Sequence, residues 1–286
     1  MSPLDALRPL GPVLNPAMIE GTYAALTEHR LRLPDTARAL WDLAYGDNPR
    51  QGLNLFLPPG GSPDRVMVYV HGGGFVAGDK GKPGSPFYAN TGAFALTQGW
   101  AGAAMTYRLV PEARWPSGAE DVAKAVDWLA AGAGGVLNAP QILLVGQSAG
   151  AVHVADYLAG RAGAVSPQLK GAVLMSGRYD FTREDRMGYE SAYQGDNPGP
   201  QSTLSALVDC DLPLMFTISE LDPPQFQQQA ASLVEAMMAR HGRLPRLHWL
   251  AGHNHVSPAL FLGADDDRLG PLITDFAGAA FGAPSP

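Results

Sequence analysis

Residues 141–150, Gln-Ile-Leu-Leu-Val-Gly-Gln-Ser-Ala-Gly, constrain the fold of this chain more than any other stretch. The apolar run from Ile142 to Val145 reads as a fully buried strand. It leads into Gly146-Gln147-Ser148-Ala149-Gly150, a G-x-S-x-G pentapeptide, and then into Ala151, Val152, Val154, Ala155 and Leu158, spaced as on a helix. A serine at the tip of a sharp strand-to-helix turn is a candidate nucleophile. Such a turn strains the serine backbone. It needs glycine on its flanks, because a Cβ there would collide with the neighbouring strand and helix. It also sets the hydroxyl at a helix N-terminus, where backbone N–H groups favour developing negative charge. The alternative is a plain glycine-rich connection that happens to contain serine. The strand before and the helix after weigh against it.

The rest of the chain repeats the same alternation. Apolar runs at 53–57, 66–70, 101–106, 142–145, 171–175, 214–219 and 246–250 read as strands. Helical patterns at 89–98, 118–131, 149–161, 225–240 and 269–281 separate or follow them. Val122, Ala125, Val126 and Leu129 form a clear i, i+3, i+4, i+7 stripe. Strands alternating with helices call for an α/β fold with a mostly parallel sheet and helices on both faces. Its working groups are then expected beyond the carboxyl ends of the strands. Hydrophobic residues at 46% and charged residues at 16% suffice for one large core, and residues 1–286 are expected to form a single domain.

Two stretches depart from this rhythm. Near the N-terminus, Asn15-Pro16 looks like a helix start followed by Met18, Ile19, Tyr23 and Leu26; Ala37, Leu40, Trp41 and Leu43 suggest a second helix. Residues 1–40 are therefore either a packing element or part of a helical cap. Residues 180–209 are polar and hold Tyr189, Tyr193 and Asn197-Pro198-Gly199-Pro200, and are the better candidate for a substrate-facing cap.

Bulk composition excludes several classes. The net charge of −7, with Lys and Arg scattered, argues against a nucleic-acid partner. The single cysteine, Cys210, rules out an intrachain disulfide and a cysteine-based zinc site. Residues 1–16 lack the layout of a signal peptide, and no run of about 18 apolar residues is present. The expectation is a cytoplasmic protein without a membrane span.

A serine hydroxyl needs a base, and the base needs an orienting acid. In a strand–turn–helix setting the chain order is Ser, then Asp or Glu, then His. After the sixth predicted strand stands Ser219-Glu220-Leu221-Asp222-Pro223, which offers Asp222 and, second, Glu220 as the acid. The same carboxylates could simply begin a helix. After the last predicted strand stands Gly252-His253-Asn254-His255, which offers His255 as base, with His253 open as the alternative. The His-x-His spacing has no matching third ligand nearby, so no metal site is expected. After the second strand comes His71-Gly72-Gly73-Gly74-Phe75, where the N–H groups of Gly73 and Gly74, with that of Ala149, could hold an oxyanion. A phosphate loop is the rival reading, but the Lys-Ser/Thr ending is missing.

With these stations in order, the chain resembles the α/β-hydrolases, and within them the hormone-sensitive-lipase-like and arylformamidase-like carboxylesterases. The resemblance rests also on Tyr107-Arg108-Leu109-Val110-Pro111-Glu112, Trp115-Pro116 and Glu120-Asp121. It implies Ser148 as nucleophile, Asp222 as acid and His255 as base. It also implies an oxyanion hole from Gly73, Gly74 and Ala149, His71 bracing that loop, Tyr107 and Arg108 as scaffold, and no cofactor. A homodimer is common among such proteins. Gln147 departs from the acidic residue or histidine that many relatives carry before the serine. The implied activity is hydrolysis of small, short-acyl or aryl esters. An arylformamidase-type amidohydrolase and a non-catalytic binding protein on the same scaffold are the alternatives. Phe75 and Tyr193 are the candidate substrate contacts, with Trp115 and Tyr189 further possibilities.

Overall fold

The computed structural model describes residues 2–282 except 62, 139 and 183–187. A short 3-10 helix, Pro3–Leu10, precedes α1 (Pro16–Leu26), β1 (Arg38–Ala44), β2 (Gly52–Leu57), β3 (Arg65–Val70), α2 (Ala89–Thr97) and β4 (Ala101–Met105). Then follow α3 (Ser117–Ala130), β5 (Gln141–Gln147), α4 (Ala149–Leu158), β6 (Leu169–Met175), α5 (Gly188–Gln194), α6 (Leu204–Val208) and β7 (Leu214–Leu221). The last elements are α7 (Pro224–His241), β8 (Leu247–Asn254), α8 (Ser257–Leu260) and α9 (Gly270–Ala280).

The strands form one sheet in the order β1-β2-β4-β3-β5-β6-β7-β8. β1 and β2 run antiparallel to their neighbours, and every pair from β4 to β8 is parallel. Alternate residues of the central strands feed two cores, as the period of two requires. Val66, Val68 and Val70 meet Val122, Val126 and Leu129 of α3 and Val154 of α4 on one face. Met67 and Tyr69 meet Phe94 of α2 and Ile273 and Phe276 of α9 on the other. Strands buried on both faces explain the near-continuous apolar runs.

The expected second N-terminal helix is instead β1. A bulge between Leu40 and Leu43 shifts the register with β2, and Asp42 takes a φ of +54° within it. The bulge turns Leu40 and Leu43, three apart, onto the same core, while Trp41 packs edge-on against Phe56. That spacing imitates a helical stripe.

α1 and the 3-10 helix pack against each other, against α8 and against β8. Residues 183–187 of the expected 180–209 cap lie outside the described residues; the remainder of that stretch carries α5 and α6.

Candidate active site

Ser148 stands between β5 and α4 with φ +53° and ψ −118°, a backbone that L-residues rarely adopt. Its surroundings enforce it. A Cβ on Gly146 would lie 2.7 Å from the Gly150 carbonyl oxygen, and one on Gly150 would overlap the Val70 and His71 carbonyls. The half-buried hydroxyl is thus held clear of the sheet at the start of α4.

The chain ends of β7 and β8 bring the partners. His255 Nε2 is 2.8 Å from Ser148 Oγ, and His255 Nδ1 is 2.5 Å from Asp222 Oδ1. A carboxylate only accepts, so Nδ1 carries the proton and Nε2 presents its lone pair to the serine. Asp222 Oδ2 accepts from Ser176 Oγ and from the Ser219 N–H, both at 2.6 Å. Phe226 of α7 covers the imidazole, with ring centroids 4.2 Å apart. Ser176 escaped notice in the sequence. Its signal was its position one residue beyond β6, where a strand end meets the site.

The two alternatives are elsewhere. Glu220 pairs with Arg8 at 2.7 Å and accepts from the Gly252 N–H at 2.6 Å, so it fastens the N-terminal segment to β8. His253 is buried, with Nδ1 2.9 Å from Ser257 Oγ, and burial holds its pKa down at about 4.

Gln147 joins two strand ends. Its Oε1 accepts from Tyr69 Oη at 2.7 Å and its Nε2 donates to the His255 carbonyl at 2.8 Å. Asn254 adds a tie to α1 by donating to Thr22 Oγ1 at 2.7 Å.

The glycine loop after β3 lies beside Ser148. Gly73 has a φ of +130°, and a Cβ there would overlap the Ala77 carbonyl. Among the described residues, the N–H groups of Gly73 and Gly74 have no protein acceptor. The Ala149 N–H, first in α4, is one of the donors that a helix leaves unpaired. His71 braces the loop. Its ring stacks on Tyr107 at 4.3 Å, its Nδ1 meets the Gly72 carbonyl at 2.6 Å, and burial lowers its pKa to about 4. Tyr107 Oη donates to the His71 carbonyl at 2.8 Å. Arg108 clasps Asp121 and Glu120.

Two rooms meet at Ser148. The larger, about 580 Å3, is lined mainly by apolar groups, including Ile19 and Tyr23 of α1, the glycine loop and His255. The smaller, about 10 Å3, is lined by Phe75, Ala149, Val152, Phe226, Arg178 and Glu190. Tyr189 and Gly74 border both. Tyr193 is not a wall of either room: it is buried, stacked on Phe75 at 4.4 Å, with its Oη accepting from the Gly118 N–H. Trp115 likewise points to Asp156 Oδ2, at 3.2 Å.

Comparison with known proteins agrees with this fold. The BD-FAE family matches residues 53–178. Esterase B from Lactobacillus rhamnosis superimposes with a TM-score of 0.72 over 98% of this chain and 99% of that one, at 17% identity. An esterase from the bacterial hormone-sensitive lipase family superimposes with a TM-score of 0.67 over 98% and 97%, at 22% identity. The chain has the α/β-hydrolase fold. Among curated proteins, this chain is 25% identical to a kynurenine formamidase from Salmo salar over 275 residues, 91% of this chain and 90% of that one. The resemblance to the lipase-like and arylformamidase-like members read from the motifs therefore holds. Among the described residues, no helix is long and apolar enough to cross a membrane.

Proposed function

We propose that this chain is an α/β-hydrolase and a serine carboxylesterase that cleaves small carboxylic esters through an acyl-enzyme. The observation that carries the reading is the unbroken hydrogen-bond chain from Ser148 through His255 to Asp222 at the mouth of an apolar cleft. His255 takes the Ser148 proton as Oγ attacks the ester carbonyl. The N–H groups of Gly73, Gly74 and Ala149 receive the negative oxygen; one such donor is worth about 2.7–4 kcal/mol in another serine enzyme. Protonated His255, steadied by Asp222, then gives its proton to the leaving alcohol. Water repeats the cycle on the acyl-enzyme, and the carboxylic acid departs. These steps use only the chain's own groups and water.

The two rooms suggest how the substrate lies. The leaving oxygen must reach His255, which lines the large room and not the small one. The alcohol therefore occupies the large room. The acyl chain must end in a space of about 10 Å3, close to one water-sized probe, which suits a short acyl chain.

The same space also suits a formyl group, and a relative matching over most of both chains is a kynurenine formamidase. Cleavage of an aryl formamide by the same residues is the second reading. Hydrolysis of p-nitrophenyl esters from acetate to decanoate, beside N-formylkynurenine, tests both, with Ser148→Ala in parallel. The first reading expects ester turnover, best at the short-chain end of the series, that vanishes in Ser148→Ala. Formamide turnover far above ester turnover decides for the second. Wild type as inert as Ser148→Ala on every substrate overturns both.

A further inference from the structure

The small room beside Ser148 has a wall that acyl packing alone does not call for. Phe75, Ala149, Val152 and Phe226 make it apolar, yet Arg178 and Glu190 also border it. Their side chains are 1% and 3% exposed, and Arg178 Nε is 2.8 Å from Glu190 Oε1. Burying two charges carries a large desolvation cost that their attraction only partly offsets. Well-packed apolar residues of similar volume often serve stability as well or better. Arg178 follows β6 closely and Glu190 lies on α5, so the pair also spans two separate elements at the site.

From these observations we infer that the small room is a subsite for a hydroxyl group on the acyl α-carbon, so that the preferred substrates are esters of α-hydroxy acids. The inference rests on the esterase reading above. Three physical features support it. The pair offers a guanidinium that only donates and a carboxylate that only accepts. A hydroxyl does both, and matches a wall that presents both. The space of about 10 Å3 admits one water-sized group, which is the size of a hydroxyl. The room also borders Ala149, whose N–H would meet the carbonyl oxygen, and not His255, so it receives the acyl side of the ester.

Methyl glycolate and methyl propionate test this, because their acyl groups differ by hydroxyl against methyl at nearly equal size. Initial rates are followed by pH-stat, and each kcat/KM is divided by that ester's hydroxide-catalysed rate, which removes the electronic effect of the hydroxyl. The expected normalised glycolate-to-propionate ratio is about tenfold or more in the wild type. In the double variant Arg178→Met/Glu190→Leu, which removes both charges without stranding either, the ratio falls to within about threefold of unity.

A wild-type ratio within about threefold of unity overturns the inference, even where Ser148-dependent hydrolysis is intact. That comparison needs no variant to fold. A folded double variant that keeps the wild-type ratio overturns it too. Absence of Ser148-dependent turnover on every ester, p-nitrophenyl acetate included, overturns instead the esterase reading on which the inference stands.

Discussion

Gln147 donates from Nε2 to the carbonyl of His255 at 2.8 Å, so the residue before the proposed nucleophile holds the turn that carries the proposed base. Tyr69 Oη fixes the other end of the amide. Gln147→Ala is expected to lower kcat about 10- to 100-fold with little change in KM, because displacing a catalytic group by about 1 Å costs on that order. Tyr69→Phe, which loses one anchor of the amide, is expected to cost only a few-fold. Steady-state kinetics on p-nitrophenyl acetate reads both. An effect confined to KM would place Gln147 in substrate binding instead.

Asp222 and Glu220 should separate cleanly by kinetics. Asp222→Asn keeps the shape but favours the wrong imidazole tautomer, and kcat is expected to fall by about 10⁴. Glu220→Gln loosens a half-exposed ion pair with Arg8 and is expected to cost less than about 1 kcal/mol of stability with kcat unchanged. A comparable loss of kcat in both would reopen the choice between the two carboxylates.

Asp156 should set part of the pH dependence of stability. Its side chain is buried, one oxygen accepts from Trp115, and desolvation raises its pKa from 3.8 to about 7. Between those values the folded state binds more protons than the unfolded chain, so this carboxyl makes stability fall as pH rises from about 4 to 7. The buried His71, His153 and His253 act in the opposite sense. Burial lowers their pKa values to about 4, 3 and 4, so their contribution is complete above pH 6.5 and is lost on acidification. Asp156→Asn is expected to match the wild type near pH 4 and to exceed it by on the order of 2–4 kcal/mol at pH 8. Urea denaturation at the two pH values measures the difference; a gap that does not change with pH would contradict the assignment.

Ile19 should control leaving-group size. It projects from α1 into the large room. Ile19→Trp is expected to lower kcat/KM for 1-naphthyl acetate about tenfold or more, while methyl acetate changes less than about threefold. Equal effects on both esters would mean that the alcohol lies elsewhere.

Much of this architecture could be read from local pattern. Ser148, Asp222 and His255 each follow a recognisable apolar strand, and their chain order matches the order in which the strand ends meet. β1 was misread because its bulge sets Leu40 and Leu43 three residues apart on one face, which periodicity alone cannot tell from a helix. Tyr193 looked like a substrate contact because aromatic content marks pockets and cores alike; only the stack on Phe75 distinguishes the two. The choice between His253 and His255 depended on where β8 stops, and it stops at Asn254, between them. Arg178 and Glu190 carry no local signal. Their meaning exists only once β6 and α5 are brought together.

Tyr189 stands over Gly74 as the common wall of both rooms; a Cβ on Gly74 would lie only 2.9 Å from its ring. In the proposed binding mode the two halves of an ester press on the same aromatic ring from opposite sides. Any exchange at this position that widens one chamber also reshapes the other. Tolerance for acid and tolerance for alcohol are for that reason not independent traits here. If the proposed esterase reading holds, a lineage adapting this chain to a new ester through position 189 would have to trade one against the other, whereas changes at Ile19 or Val152 act on one chamber alone.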